Sequence, residues 1–106
     1  MSLAVIGCGL SPRAYCDSVA ELTCERLFTC TTGEAERKAL LSVYSDPATC
    51  IASFKTRSQC ETQTERTLCQ GNRWVPAKAA VCVNELQTLP CDQLATYRPT
   101  CAPPCE

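Results

Sequence analysis

A chain of 106 residues with a net charge of −1 is long enough for one domain and lacks the basic excess of a nucleic-acid-binding protein. Eleven residues are cysteine and none is histidine. Cysteine at this density is typical of a disulfide framework in an oxidising compartment, and the absence of histidine excludes Ser-His-Asp and Cys-His catalysis. With one tryptophan, three tyrosines and two phenylalanines, the aromatic core is thin, so we expect disulfides to supply much of the stability.

The first ten residues contain a short apolar run that ends at Cys8. This run resembles the end of a bacterial lipoprotein signal, in which the cysteine becomes the acylated first residue of the mature protein. Cys8 is therefore our lipidation candidate, and residues 1–10 are predicted to be a tether, a signal remnant or residues added for expression. The alternative is that Cys8 is bridged and another cysteine is free, because eleven cysteines cannot all pair. Met1–Leu3 and Glu106 are candidates for residues added for expression and are left out of the fold prediction.

Three X-Pro steps begin the helical patterns of residues 11–106, which we predict to form a single disulfide-rich helical domain. Proline suits the first position of a helix because its missing N–H would have no partner there. Ser11 and Asp46 stand just before two of these prolines, and their short oxygen-bearing side chains are good N-caps. Helices are predicted over residues 12–30, 34–45, 47–54 or beyond, and 76–89, with a turn at 70–73.

Apolar residues recur at helical spacing in the first and last of these helices. The two stripes are Cys16, Ala20, Cys24 and Leu27 in the first helix, and Ala79, Cys82, Leu86 and Leu89 in the last. Residues 61–69 are compatible with a helix or a loop, whereas residues 98–105 contain three prolines and are predicted to be irregular. The fold class is therefore predicted to be all-α: a small disulfide-crosslinked bundle of three to four helices with an irregular C-terminal tail.

Ten cysteines are predicted to be structural half-cystines: Cys16, Cys24, Cys30, Cys50, Cys60, Cys69, Cys82, Cys91, Cys101 and Cys105. Cys30 ends one predicted helix and Cys50 begins another, and the helix between them can bring the chain back. Cys30–Cys50 is therefore the best single pair. In an antiparallel arrangement Cys16 would then face the region of Cys60. The two C-terminal cysteines are not expected to pair with each other, because two prolines stand between them.

The spacing of chemically active side chains does not favour an enzyme or a metal centre. The chain has no C-x2-C pair, which both structural zinc sites and thioredoxin-like redox sites use. Two carboxylate pairs at i,i+4, Glu21/Glu25 and Glu61/Glu65, are typical of helix surface charge rather than of a glycosidase cleft. We therefore predict no enzymatic activity, no cofactor and no metal.

Two binding interpretations stay open beside a structural role. A cavity lined by Leu22, Leu27, Leu86 and Leu89 would indicate a small-ligand or lipid carrier, and a packed core there would indicate an interaction module. Plant lipid-transfer proteins share the size and architecture, but their Cys-Cys and Cys-x-Cys pairs are absent. The loop 71–75, with Arg73 and Trp74, is the only inviting protease-inhibitor loop. We favour an inward-facing Trp74 that packs ahead of the Pro76 helix.

Two motifs, Y-C-x7-C-E-R-L-F-x-C at 15–30 and A-K-A-A-x-C-x3-L-x4-C at 77–91, resemble those of uncharacterised cysteine-rich secreted proteins and lipoproteins of myxobacteria and related bacteria. The resemblance covers about residues 14–101 and transfers no catalytic residue or ligand. It implies export to the bacterial cell envelope or the extracellular space. The predicted function is an exported, non-enzymatic binding or structural module of the cell surface, and the alternative is a secreted protease inhibitor or a small-ligand or lipid carrier. The partner is expected to be an unknown protein or small ligand, with no nucleic acid, and a membrane only through a lipid at Cys8.

Overall fold

The computed structural model describes residues 10–93 and 104–106, and every structural statement below concerns this part of the chain. The helices are α1 Pro12–Cys30, α2 Glu34–Val43, α3 Pro47–Arg57, α4 Glu65–Cys69 and α5 Pro76–Thr88, with 3-10 turns at Cys60–Thr62 and Cys91–Gln93. The described residues form no strand beyond an isolated bridge between Trp74 and Cys105. The predicted all-α, disulfide-crosslinked fold class is confirmed.

Helices α1 and α3 begin at the predicted residues, and each is capped by a short side chain. The Ser11 hydroxyl accepts a hydrogen bond from the Ala14 amide at 3.1 Å, and an Asp46 carboxylate oxygen accepts one from the Thr49 amide at 2.8 Å. Each cap satisfies an amide that has no partner inside its helix. Helix α1 has the predicted bounds, α2 ends two residues early, and α3 continues three residues past residue 54.

The segment left open between helix and loop contains one 3-10 turn and the short helix α4. Its threonines are weak helix formers in a helix interior, but they are effective at a helix start. The Thr64 hydroxyl accepts from the Thr67 amide at 3.3 Å, and the Thr67 hydroxyl accepts from the Thr64 amide at 2.8 Å. This reciprocal capping box begins α4, which is why the polar segment is helical at all.

Helix α1 is the centre of the fold, because α3 and α5 both pack against it. The predicted α5 stripe is buried along its whole length, at Ala79, Cys82, Leu86 and Leu89. The three largest fully buried side chains among the described residues are Cys24, Cys50 and Cys60. Half-cystines therefore occupy the positions that large aliphatic side chains fill in most cores of this size.

Four disulfides join described residues: Cys16–Cys60, Cys24–Cys50, Cys30–Cys91 and Cys69–Cys105. Cys82 is also disulfide-bonded. The predicted contact between Cys16 and the region of Cys60 is confirmed, and Cys105 indeed pairs elsewhere than with Cys101. Cys8 and Cys101 lie outside the described residues.

The predicted Cys30–Cys50 pair is wrong. Cys50 bonds instead to Cys24, which precedes Cys30 on α1 by about one and two-thirds turns, and Cys30 bonds to Cys91. At about 100° per residue, Cys24 and Cys30 point about 120° apart around α1. Cys24 faces α3, and Cys30 faces the turn that follows α5. A single neighbouring segment could therefore not form disulfides with both cysteines.

Candidate functional site

The four leucines that were predicted from the sequence to line a cavity do not line either of two surface clefts among the described residues. Leu86 and Leu89 are buried, and Leu22 and Leu27 are half-buried. Both clefts lie instead between α1 and the part of the chain that runs from α3 to α4. The candidate functional surface is therefore on the α3 side of α1.

The larger of the two, here called the charged cleft, has a volume of about 630 Å³. It is lined by Arg13, Asp17, Ala52, Lys55, Thr56, Gln59, Cys60, Glu61 and Thr62. Two cationic and two anionic side chains share it, so it presents no excess of either sign. The Lys55 ammonium lies 3.1 Å from a carboxylate oxygen of Glu21, in an exposed ion pair worth about 0–1 kcal/mol.

The smaller, here called the apolar groove, has a volume of about 290 Å³. It is lined by Tyr15, Cys16, Val19, Ala20, Thr23, Phe54, Ser58, Gln63 and Leu68. None of these side chains is charged at neutral pH, and burial raises the pKa of the Tyr15 hydroxyl above its ordinary value of 10.0. The groove lies at the lower end of the range of about 300–1,000 Å³ that small-molecule sites occupy.

One disulfide separates the two clefts. Cys16 lines the apolar groove, and its partner Cys60 lines the charged cleft. Gln59, just before Cys60, has a left-handed backbone with φ of 53°, a conformation that a side chain makes unfavourable. This bend directs the chain from the end of α3 into the Cys60–Thr62 turn. The cross-link then fixes the spacing between α1 and that turn.

Phe54, which lines the apolar groove, is held in place by two side chains that do not line it. The Arg57 guanidinium lies 4.6 Å from the centre of the Phe54 ring, a cation–π contact. Arg57 also donates a hydrogen bond to the Tyr44 hydroxyl at 2.8 Å, and the Tyr44 and Phe54 rings are 6.4 Å apart. These contacts join the loop after α2 to the end of α3 and limit the motion of Phe54.

Trp74 faces inward, as predicted from the sequence. Its ring is 8% exposed, and its Nε1 donates to the Leu10 carbonyl at 2.7 Å. Its backbone amide donates to a Glu65 carboxylate oxygen at 2.7 Å, and its ring meets Tyr15 edge to face at 5.5 Å. The aromatic side chain of the loop 71–75 is therefore a core residue and is not displayed to a partner.

Glu106, set aside at first, is part of the same loop structure. Its backbone pairs with that of Arg73 in both directions, at 2.7 and 2.9 Å. Its carboxylate binds the Arg73 guanidinium and lies 3.5 Å from the Lys78 ammonium. The hydrogen bond from Arg73 and the charge of Lys78 lower the pKa of the Glu106 carboxyl. No sequence pattern pointed to this pairing.

Two of the four glutamates that are spaced at i,i+4 in the sequence have structural contacts. Glu21 forms the ion pair with Lys55, and Glu65 holds the Trp74 amide. Within residues 10–93 and 104–106, no group of three or more cysteine or acidic side chains is arranged to hold a metal ion. None of the described helices has the length and apolar character needed to cross a membrane.

No protein-family model, curated protein or solved structure matches this chain. Its function is therefore inferred from its own disulfides, charges and clefts.

Proposed function

We propose that the protein is an exported, non-enzymatic binding or structural module of the bacterial cell surface. One observation supports this proposal: among residues 10–93 and 104–106, the largest fully buried side chains are the half-cystines Cys24, Cys50 and Cys60. Cytosolic glutathione and thioredoxin keep such pairs reduced, and the helices would then lose the cross-links that hold them together. A core of this kind supports folding after export, in an oxidising compartment.

The structural contacts of three carboxylates support the non-enzymatic part of the proposal. Glu65 holds a backbone amide, Asp46 caps α3, and Glu21 is paired with Lys55. A catalytic carboxylate usually combines burial or a like-charged neighbour with a raised pKa. The pKa of Asp46 is instead lowered by its hydrogen bonds from Thr49, which is the behaviour of a structural cap.

A lipid on Cys8 would attach the domain to the membrane by a defined side. Cys8 precedes Leu10 by two residues, which span at most about 7 Å of extended chain. The Leu10 carbonyl is held by the Trp74 indole, next to Tyr15. The Trp74 end of the molecule would therefore lie nearest the bilayer.

The test is the chemical state of the protein recovered from the cells that make it. Intact mass is measured before and after thiol alkylation without reductant, and Cys8 is mapped by peptide analysis. We expect a diacylglyceryl group on Cys8 and no alkylation at Cys24, Cys50 or Cys60. A Cys8→Ser variant serves as the control, with the same disulfides but release from the membrane fraction. Free thiols at the buried cysteines would refute export, and an unmodified Cys8 would refute the anchor.

The apolar groove favours a second candidate function, a carrier of small neutral molecules. Tyr15 and Phe54 supply aromatic walls, Val19 and Leu68 supply aliphatic surface, and no charged side chain lines the site. Such a lining favours an uncharged aromatic or short aliphatic ligand over an ion, because a charge would lose its hydration without gaining a partner.

Two naphthylamine dyes of similar size distinguish this function. The neutral N-phenyl-1-naphthylamine is expected to bind saturably with enhanced fluorescence, and the anionic 8-anilinonaphthalene-1-sulfonate to bind much more weakly. Val19→Asp should abolish binding of the neutral dye. Val81→Asp is the matched control, because Val81 is 52% exposed on α5 and does not line the groove. Equal binding of both dyes, or equal loss in both variants, would rule out a selective site.

A further inference from the structure

Among the four disulfides that join two described residues, Cys30–Cys91 is the one without a buried half-cystine. Cys91 is exposed and Cys30 is half-buried, whereas each of the other three pairs between described residues contains a buried half-cystine. The exposed fractions of those buried residues are 0% for Cys24 and Cys50, 1% for Cys60 and 3% for Cys69. A thiolate must reach a sulfur atom to open a disulfide, so exposure decides which pair reacts without prior unfolding.

The two segments that Cys30–Cys91 joins are each held by other contacts. At the end of α1, the Thr31 amide donates to the Leu27 carbonyl at 3.1 Å. The Arg37 guanidinium donates to the Phe28 and Thr31 carbonyls, both at 3.3 Å. On the other side, Leu86 and Leu89 are buried just before the Cys91–Gln93 turn. Opening the bond would therefore release the turn from α1 and leave the helices in place.

We propose that Cys30–Cys91 is a redox-sensitive latch, which an external dithiol opens while the remaining disulfides persist. This device goes beyond the proposed binding role and does not depend on it. A thiolate of the dithiol attacks the sulfur of the exposed residue Cys91, and Cys30 leaves as a thiolate that takes up a proton. The second thiol of the dithiol then attacks the mixed disulfide and releases Cys91 as a thiol. Two electrons and two protons pass to the protein, and the dithiol becomes a disulfide.

The rest of the frame explains why the opened form stays folded. Cys16–Cys60 and Cys24–Cys50 fasten α1 to α3 and to the turn after it, and Cys69–Cys105 fastens α4 to residues 104–106. Ala79, Cys82 and Leu86 still bury one face of α5. Only the Cys91–Gln93 turn loses its covalent attachment to α1.

The test is stepwise reduction of the intact protein with dithiothreitol in the absence of denaturant. Samples are alkylated at intervals, the labelled cysteines are mapped by mass spectrometry, and helicity is followed by far-UV circular dichroism. We expect Cys30 and Cys91 to be labelled together, about tenfold or more faster than Cys24 and Cys50, because only the buried pairs need an opening of the structure. The helical signal should stay unchanged through this first phase.

Two double variants keep the result interpretable. Cys30→Ser/Cys91→Ser should lack the fast phase and keep the slow ones, whereas Cys16→Ser/Cys60→Ser should keep the fast phase. Labelling of Cys24, Cys50, Cys60 or Cys69 at the rate of Cys91 would overturn the proposal. So would a loss of helicity that accompanies the first phase.

Discussion

Replacement of Trp74 by alanine should be one of the most damaging single substitutions in this chain. The side chain is 8% exposed, donates to the Leu10 carbonyl and meets the Tyr15 ring edge to face. Truncation of a buried tryptophan typically lowers the free energy of unfolding by about 3–5 kcal/mol. Of this, about 1 kcal/mol belongs to the hydrogen bond and about 0.5–1.5 kcal/mol to the aromatic pair. We therefore expect a loss of about 4 kcal/mol.

A conservative variant separates these contributions. Trp74→Phe keeps an aromatic ring opposite Tyr15 and the backbone bond to Glu65, but loses the Nε1 donor and part of the buried surface. Its cost should be about 1–2 kcal/mol. A double-mutant cycle with Tyr15→Leu should return a coupling energy of about 0.5–1.5 kcal/mol between the two rings.

The assay is urea denaturation with the disulfides intact, followed by far-UV circular dichroism because the variants lack the only tryptophan. Val81→Ala is the control on an exposed helix position and should change stability by no more than about 0.5 kcal/mol. If Trp74→Ala behaved like this control, the tryptophan would not be a core residue. The loop 71–75 would then regain its interest as an exposed inhibitor loop.

Three further predictions concern the backbone, a helix cap and a cross-link. Gln59→Gly should stabilise the protein by up to about 1 kcal/mol in urea denaturation, because glycine relieves the left-handed strain at φ of 53°. The pKa of the Asp46 carboxyl is lower in the folded protein than its value of 3.8 in the unfolded chain. The stability that the ionised carboxylate contributes is therefore present above pH 3.8 and is lost as the pH falls through the folded-state pKa. Asp46→Asn should flatten the acid side of the pH–stability curve. Cys24→Ala/Cys50→Ala should cost about 3–4 kcal/mol from the separation of 26 residues, plus a cavity cost at two fully buried positions, as measured by thermal unfolding. Cys30→Ala/Cys91→Ala, with a separation of 61 residues and no buried half-cystine, should show a chain-entropy loss of about 4 kcal/mol and no cavity cost.

The helices could be predicted because their signals are local. Ser11 and Asp46 stand directly before prolines, and each caps a helix that begins where the sequence placed it. The stripe from Ala79 to Leu89 is buried because the 3.6-residue period brings its members to one face. These features depend on neighbours within one or two turns, which a single sequence contains.

The clefts and several key contacts could not be predicted, because they join residues from separate elements. The apolar groove combines α1, the end of α3, the segment between α3 and α4, and Leu68 of α4. The bond from Trp74 to Glu65 and the pairing of Arg73 with Glu106 depend on how the chain returns after α4 and near residue 106. Nothing in the spacing of these residues distinguishes them from ordinary surface charges.

The disulfide pairing could be predicted in part. The directions in which the cysteines of α1 point around the helix axis contain further information about their partners. From Cys16, Cys24 is rotated by about 80° in one direction and Cys30 by about 40° in the other. A helix with disulfide-bonded cysteines on two sides must have a neighbouring segment on each side. Cys24 and Cys30 therefore cannot both bond to the same element. The helix packs between α3 and α5, and its cross-links go to α3, the turn after α3 and the turn after α5, which makes it the spine of the fold.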